Sequence, residues 1–219
     1  MPKLLKTNRN LHLHYEPTYR GFNCIQSRGP LIVEYLEPSL ALMHRALNDH
    51  PRTLVVRIDL LFPRFYQCDD DNSVITRFIE KLRYCINVDC RERRALGARV
   101  HDTRVRCIWC REETDKSDGH YHMLLFVNRD TYFQLGDPQS FDKGIAGMIN
   151  KSWAYALGLD HWLAIGMVNF PDNLLYHLQE RSLGFAQVFQ DVFYRASYLA
   201  KADTKSYGNR YRSFGVSQI

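Results

Sequence analysis

Apolar residues recur along the chain with two different periods. Thr53-Leu54-Val55-Val56-Arg57-Ile58-Asp59-Leu60-Leu61 is rich in β-branched residues and gives way at Pro63, which predicts a strand. The segments 103–112 and 120–127 read the same way. The polar stretch Thr114-Asp115-Lys116-Ser117-Asp118-Gly119 between them is turn material, so the pair predicts a hairpin. A helical period governs the other segments. Residues 31–48 predict a helix, with Pro38 either bending it or opening a second segment. Asn72-Ser73 can open a helix over 73–87, whose Val74, Phe78, Leu82 and Cys85 share one face. Residues 140–157 and 184–201 also read as helices, and 162–169 as a strand. Residues 1–30 are polar, basic and punctuated by Pro17, Gly21, Gly29 and Pro30, which predicts an irregular N-terminal arm before a single domain over 31–219. Strands mixed with helices, with a hairpin among them, predict an α+β fold with a largely antiparallel sheet.

Composition narrows this only a little. A 219-residue chain with 45% hydrophobic and 24% charged residues is ordinary for a globular protein, which excludes general disorder. No run approaches the ~18 apolar residues of a membrane span. Met1-Pro2-Lys3-Leu4-Leu5-Lys6 lacks the apolar stretch of a secretory signal, so a cytoplasmic location is expected. The net charge of +5 is a mild bias towards anionic partners. The six cysteines read as reduced thiols in that compartment. Cys107-Ile108-Trp109-Cys110 has the spacing of a zinc pair but lies in a predicted strand. Residues three apart there point to opposite faces, so no structural zinc is expected.

Two short patterns carry chemistry. In His120-Tyr121-His122 on a strand, both imidazoles project from one face and can reach one cation. The hairpin brings Glu112 and Glu113 alongside, and two histidines with one carboxylate suit a catalytic divalent ion with open positions. By itself the pattern also suits a half-exposed strand near a turn, and strand parity leaves Glu112 and Glu113 equivalent. In Tyr194-Arg195-Ala196-Ser197-Tyr198-Leu199-Ala200-Lys201, positions 194, 198 and 201 share one face of the predicted helix. Two phenols and an amine there suit covalent nucleophilic chemistry, although an amphipathic helix with a solvated Lys has the same pattern. The basic residues Lys3, Lys6, Arg9, Lys205, Arg210 and Arg212 towards the two ends are candidates for phosphate contact.

Together these patterns resemble the HUH endonucleases, the rolling-circle replication initiators and relaxases, in motif order. Arg57-Ile58-Asp59-Leu60 sits where their first motif would, His120-Tyr121-His122 matches the metal motif, and Tyr194 with Tyr198 resembles the two-tyrosine form. That form usually carries Lys just before the second Tyr, where this chain has Ser197. A closer resemblance is to the YagK/YfjJ family of prophage and filamentous-phage replication proteins. It is carried by His50-Pro51-Arg52, Trp109-Cys110-Arg111-Glu112, Gly119-His120-Tyr121-His122, Tyr198-Leu199-Ala200-Lys201 and Arg212-Ser213-Phe214-Gly215, over about residues 35–216. The resemblance implies an HUH-like, RRM-like antiparallel sheet flanked by helices. It implies magnesium or manganese on His120, His122 and Glu112, with Glu112 favoured over Glu113 by the Trp-x-Arg-Glu match. Tyr198 would be the nucleophile, with Tyr194 for a second cleavage and Lys201 as electrostatic support. Arg57, Lys205, Arg210 and Arg212 would contact DNA. The implied activity is nicking and joining of single-stranded DNA or an origin hairpin in a bacterial host, using the host's helicase and polymerase. The alternative is a binding or regulatory protein without catalysis on the same fold.

Overall fold

The structure is a computed structural model. It describes the chain apart from residues 1–2, 28, 65, 67–71, 115–116, 204, 206–211 and 219, and apart from the side chains of 113, 114, 117 and 118. The elements run β1 (Lys3–Leu5), β2 (Asn8–His14), β3 (Thr18–Tyr19), β4 (Phe22–Asn23), β5 (Leu31–Ile32), α1 (Val33–Asp49), β6 (Arg52–Leu61), α2 (Ser73–Ala95), β7 (Arg106–Thr114), β8 (Ser117–Asn128), α3 (Gly144–Leu157), β9 (Val168–Asn169), β10 (Leu175–Gln179), α4 (Phe185–Leu199) and β11 (Phe214–Val216). The fold is α+β. Its central sheet has the order β10-β6-β8-β7-β11, with β9 also on β6, and every described pairing is antiparallel.

Both sheet faces are covered, which explains why the central strands are apolar almost throughout. Leu54, Val56, Ile58 and Leu60 of β6 face α2 and α3, packing with Phe78, Leu82, Ile149 and Trp153. Val55 of β6, Ile108 and Cys110 of β7 and Leu124 and Phe126 of β8 face α1 and α4, packing with Leu42, Phe189, Val192 and Phe193. Cys107 belongs to the first layer and Cys110 to the second, so the two thiols lie on opposite sides of the sheet. β11 lies close over β7 because Gly215 has no side chain. A Cβ there would come within 2.5 Å of the Trp109 indole.

Several elements differ from the sequence expectation. Residues 3–23 hold short strands where an irregular arm is expected: β1 and β2 form a hairpin, and β2 pairs β5 immediately before α1. Their polar composition reflects a small sheet with one covered side, where Leu11, Ile32 and Ala202 pack together. α1 runs through Pro38 without a break. α2 continues eight residues past 87 to Ala95, where its Arg-rich end suits the helix C-terminus. The segment 162–169 is not one strand; it begins in a 3-10 turn at His161–Ala164 and only Val168–Asn169 pair with β6. α3 begins at Gly144 rather than 140. β10 and β11 were not anticipated, because short edge strands bury too few residues to show a clear period. Among the described residues no helix is long and apolar enough to cross a membrane.

Candidate metal centre and tyrosine

The sheet register assembles the site. His120 of β8 stands opposite Glu112 of β7, and His122 stands opposite Asp59 of β6. Directly opposed residues share a face, and so do residues two apart on one strand. Four side chains from three strands therefore converge on the α4 side of the sheet. The ligand atoms of Glu112, His120 and His122 all lie within 4.8 Å of one another. Glu112 and His122 are buried and His120 is half-buried. The register is regular through Glu112 and shifts between Glu112 and Thr114, so the pairing itself selects Glu112. The side chain of Glu113 lies outside the described residues.

Each donor is oriented. Asp59 Oδ1 lies 2.6 Å from His122 Nδ1, and Asn169 Nδ2 donates to Asp59 Oδ2 at 3.1 Å. With Nδ1 committed to Asp59, His122 presents Nε2 to the cluster, 3.0 Å from His120 Nε2 and 3.4 Å from Glu112 Oε2. A carboxylate behind a ligand histidine is the usual means of fixing its ring. Asp59 is thus a site residue that the sequence reading placed in a motif without giving it a role. Its signal is a carboxylate two positions from Arg57 within the mostly apolar run 54–61.

Burial opposes the charge on Glu112, but His122, Lys205 and Lys201 outweigh it and hold the carboxyl well below its usual range. Asp59 is likewise lowered, its burial outweighed by His122 and Arg57. His120 is lowered by burial and by His122. Burial would also lower His122, yet Asp59 and Glu112 together raise it. Two imidazole nitrogens and one carboxylate oxygen within 4.8 Å of one another form a donor set that fits a divalent ion, with proton and ion competing for the same lone pairs. The Glu112–His120–His122 group can hold a metal.

Cations and a phenol complete the wall. Lys201 Nζ lies 3.0 Å and Lys205 Nζ 3.3 Å from Glu112 Oε1, so this oxygen faces the lysines while Oε2 faces His122. Lys201 is not on α4 as its spacing predicts. It follows the helix C-cap Ala200 and is held by an antiparallel bridge to Leu31, with Ile32 N donating to Ala200 O. The N-terminal sheet thereby fixes the lysine. Its ammonium sits 3.7 Å from the centre of the Tyr198 ring, with the Arg57 guanidinium 5.7 Å from that ring. The Tyr198 ring meets His122 edge-on at 5.4 Å. Arg57 also pairs with Asp59 at 3.5 Å.

The remaining predicted residues separate. Tyr194 is 45% exposed and lines a cleft of about 430 Å³ with Asn173, Tyr176, Asp191 and Arg195, away from the described contacts of the cluster. Lys205, a candidate phosphate contact by its place in the basic tail, is buried against Glu112. Arg212 is exposed and exchanges hydrogen bonds with Asn72 through its backbone. Arg210 lies outside the described residues.

The family described as the YagK/YfjJ C-terminal domain matches residues 15–217. The chain is 33% identical over 210 residues to the uncharacterized protein YagK of Escherichia coli strain K12, covering 92% of this chain and 98% of the relative. It is 32% identical over 184 residues to the uncharacterized protein YfjJ of the same strain, covering 79% of this chain and 88% of the relative. No solved structure matches the chain.

Proposed function

The chain belongs to the YagK/YfjJ C-terminal domain family, and from that premise we propose that it is a divalent-metal-dependent enzyme that nicks and joins single-stranded DNA through a phosphotyrosine. The observation that carries this reading is the shared wall of the site: Tyr198 stands edge-on to His122 of a Glu–His–His cluster and beneath the ammonium of Lys201. A metal cluster alone fits many hydrolases, and a tyrosine alone fits a packed core. Their contact supports nucleophilic attack on a phosphodiester. A bound divalent ion would supply Lewis-acid polarisation of the scissile phosphate. The ion in this reading is magnesium or manganese; the carboxylate suits either, and the two imidazoles suit manganese better than magnesium.

The chain's own groups have defined tasks in this reading. The Tyr198 hydroxyl oxygen attacks phosphorus as its proton leaves to solvent. The bond from phosphorus to the 3′ oxygen breaks, and that oxygen takes up a proton. The products are a 5′-phosphotyrosine and a free 3′-hydroxyl. Attack by a 3′-hydroxyl on the phosphotyrosine reverses the bonds and restores the phenol. Lys201 and Arg57, both over the Tyr198 ring, would stabilise negative charge developing on the phenol and phosphate. Asp59 orients His122. Tyr194, one turn earlier and in its own cleft, would serve a second cleavage. The 3′-hydroxyl would prime synthesis by a host polymerase behind a host helicase, in the cytoplasm of a bacterial host at an origin strand or hairpin.

An end-labelled single-stranded oligonucleotide incubated with the protein and manganese tests this reading. Cleavage that leaves a polymerase-extendable 3′-hydroxyl, and that chelator abolishes, is expected. Tight binding with no cleavage in manganese or magnesium would replace it with the binding-protein reading.

A further inference from the structure

The strand that carries Glu112 begins at a second cleft. It has a volume of about 920 Å³ and opens where β7 starts, against the C-terminal end of α1 and one side of α2. Arg106 and Glu112 are six residues apart on β7, so this cleft lies about 20 Å from the metal cluster by strand geometry.

Its wall is cationic. Arg83, Asn87, Arg91 and Arg94 recur at helical spacing along α2, and Arg104 and Arg106 lie across from them. Two carboxylates answer these five arginines. Asp49 pairs with Arg104 and Arg106, and Asp102 pairs with Arg94. Arg83 and Arg91 have no carboxylate partner among the described residues; Arg83 donates only to the Val105 carbonyl, at 3.5 Å. Arg106 Nη1 and Thr103 Oγ1 are buried without a hydrogen-bond partner. A buried donor left unpaired is costly, so this wall is short of acceptors.

The chemistry of the missing acceptor follows from shape. Cys90, Val105 and the exposed ring of Tyr84 are its main apolar surfaces, which does not suit a small apolar ligand. The arginine stripe from 83 to 94 extends about 16 Å along the helix axis, well beyond one phosphate group. Successive phosphates of a nucleic-acid strand match that length, and Tyr84 offers a face on which an unpaired base can stack. We propose that this cleft is a second nucleic-acid site, which grips DNA backbone phosphates remote from the metal cluster. The site stands on its own residues and holds whether or not Tyr198 is a nucleophile.

The test separates the two. Binding of a labelled single-stranded oligonucleotide and of the matching duplex is measured by fluorescence anisotropy, with chelator present and in a Tyr198→Phe background, so that cleavage cannot contribute. Arg91→Glu with Arg94→Glu alters exposed side chains, and circular dichroism confirms the fold. The charge-matched control is Arg181→Glu with Lys143→Glu, also exposed and outside the cleft. The cleft pair is expected to weaken binding tenfold or more and to reduce the slope of log affinity against log salt by about two, while the control retains most of its affinity. Arg91→Lys with Arg94→Lys should keep the salt slope. A larger loss on the single strand, matched by Tyr84→Ala, would identify the occupant as unpaired DNA; a larger loss on the duplex would identify duplex DNA. Unchanged affinity in the cleft pair, or an equal loss in the control pair, would overturn the proposal.

Discussion

At the scale of single residues, the site depends on a carboxylate that touches no candidate substrate. Asp59 holds His122 Nδ1 at 2.6 Å and is itself held by Asn169. Asp59→Asn keeps the shape but removes the charge that fixes the imidazole. Manganese affinity measured by calorimetry is expected to fall 10- to 100-fold, the usual cost of losing a partner behind a ligand. An unchanged affinity would show that His122 is oriented by packing alone. His120 and His122 were legible in the sequence because the strand period puts them on one face. Asp59 was not assigned because its partner stands 63 positions away, and only the register of β6 against β8 reveals the pair. Lys205 shows the opposite failure. A lysine in a basic tail is usually solvated, but here two lysines balance one buried carboxylate.

At the scale of elements, the long central strands and the four helices were readable because each buries a full periodic face. The short strands were not. β11 depends on a close approach that no periodicity encodes: Gly215 against Trp109. Gly215→Ala should push β11 from β7 and destabilise the protein by about 1–3 kcal/mol, read from the urea midpoint; no change would mean that the indole moves aside freely. The cysteine pair was legible for the same reason as the histidine pair. Strand alternation sends Cys107 and Cys110 to opposite layers, and burial pushes the Cys107 thiol up to about 12. Neither thiol should react with iodoacetamide in native protein near neutral pH, and both should react after denaturation, as peptide mass mapping can follow. Rapid native labelling of either would contradict their burial.

At the scale of the whole molecule, the N-terminal sheet is part of the site's support, because the Leu31 bridge sets Lys201 over Tyr198. Folding and metal binding are therefore coupled through one end of the sheet. Manganese at about one hundred times its dissociation constant should stabilise the native state by about 2.7 kcal/mol, raising Tm by about 5–10 °C for a chain of this size. His120→Ala with His122→Ala should remove that rise, and an equal rise in this double variant would move the ion elsewhere. The central claim, that Tyr198 acts covalently beside this cluster, is tested most directly by mapping the adduct. Protein, single-stranded DNA and manganese are mixed, denatured and digested, and the nucleotide-bearing peptide is identified by mass. The account predicts a phosphotyrosine at Tyr198 in the wild type and in Tyr194→Phe, and its loss in Tyr198→Phe and in the double histidine variant. Cleavage at the wild-type rate in a Tyr194→Phe, Tyr198→Phe double variant would contradict it.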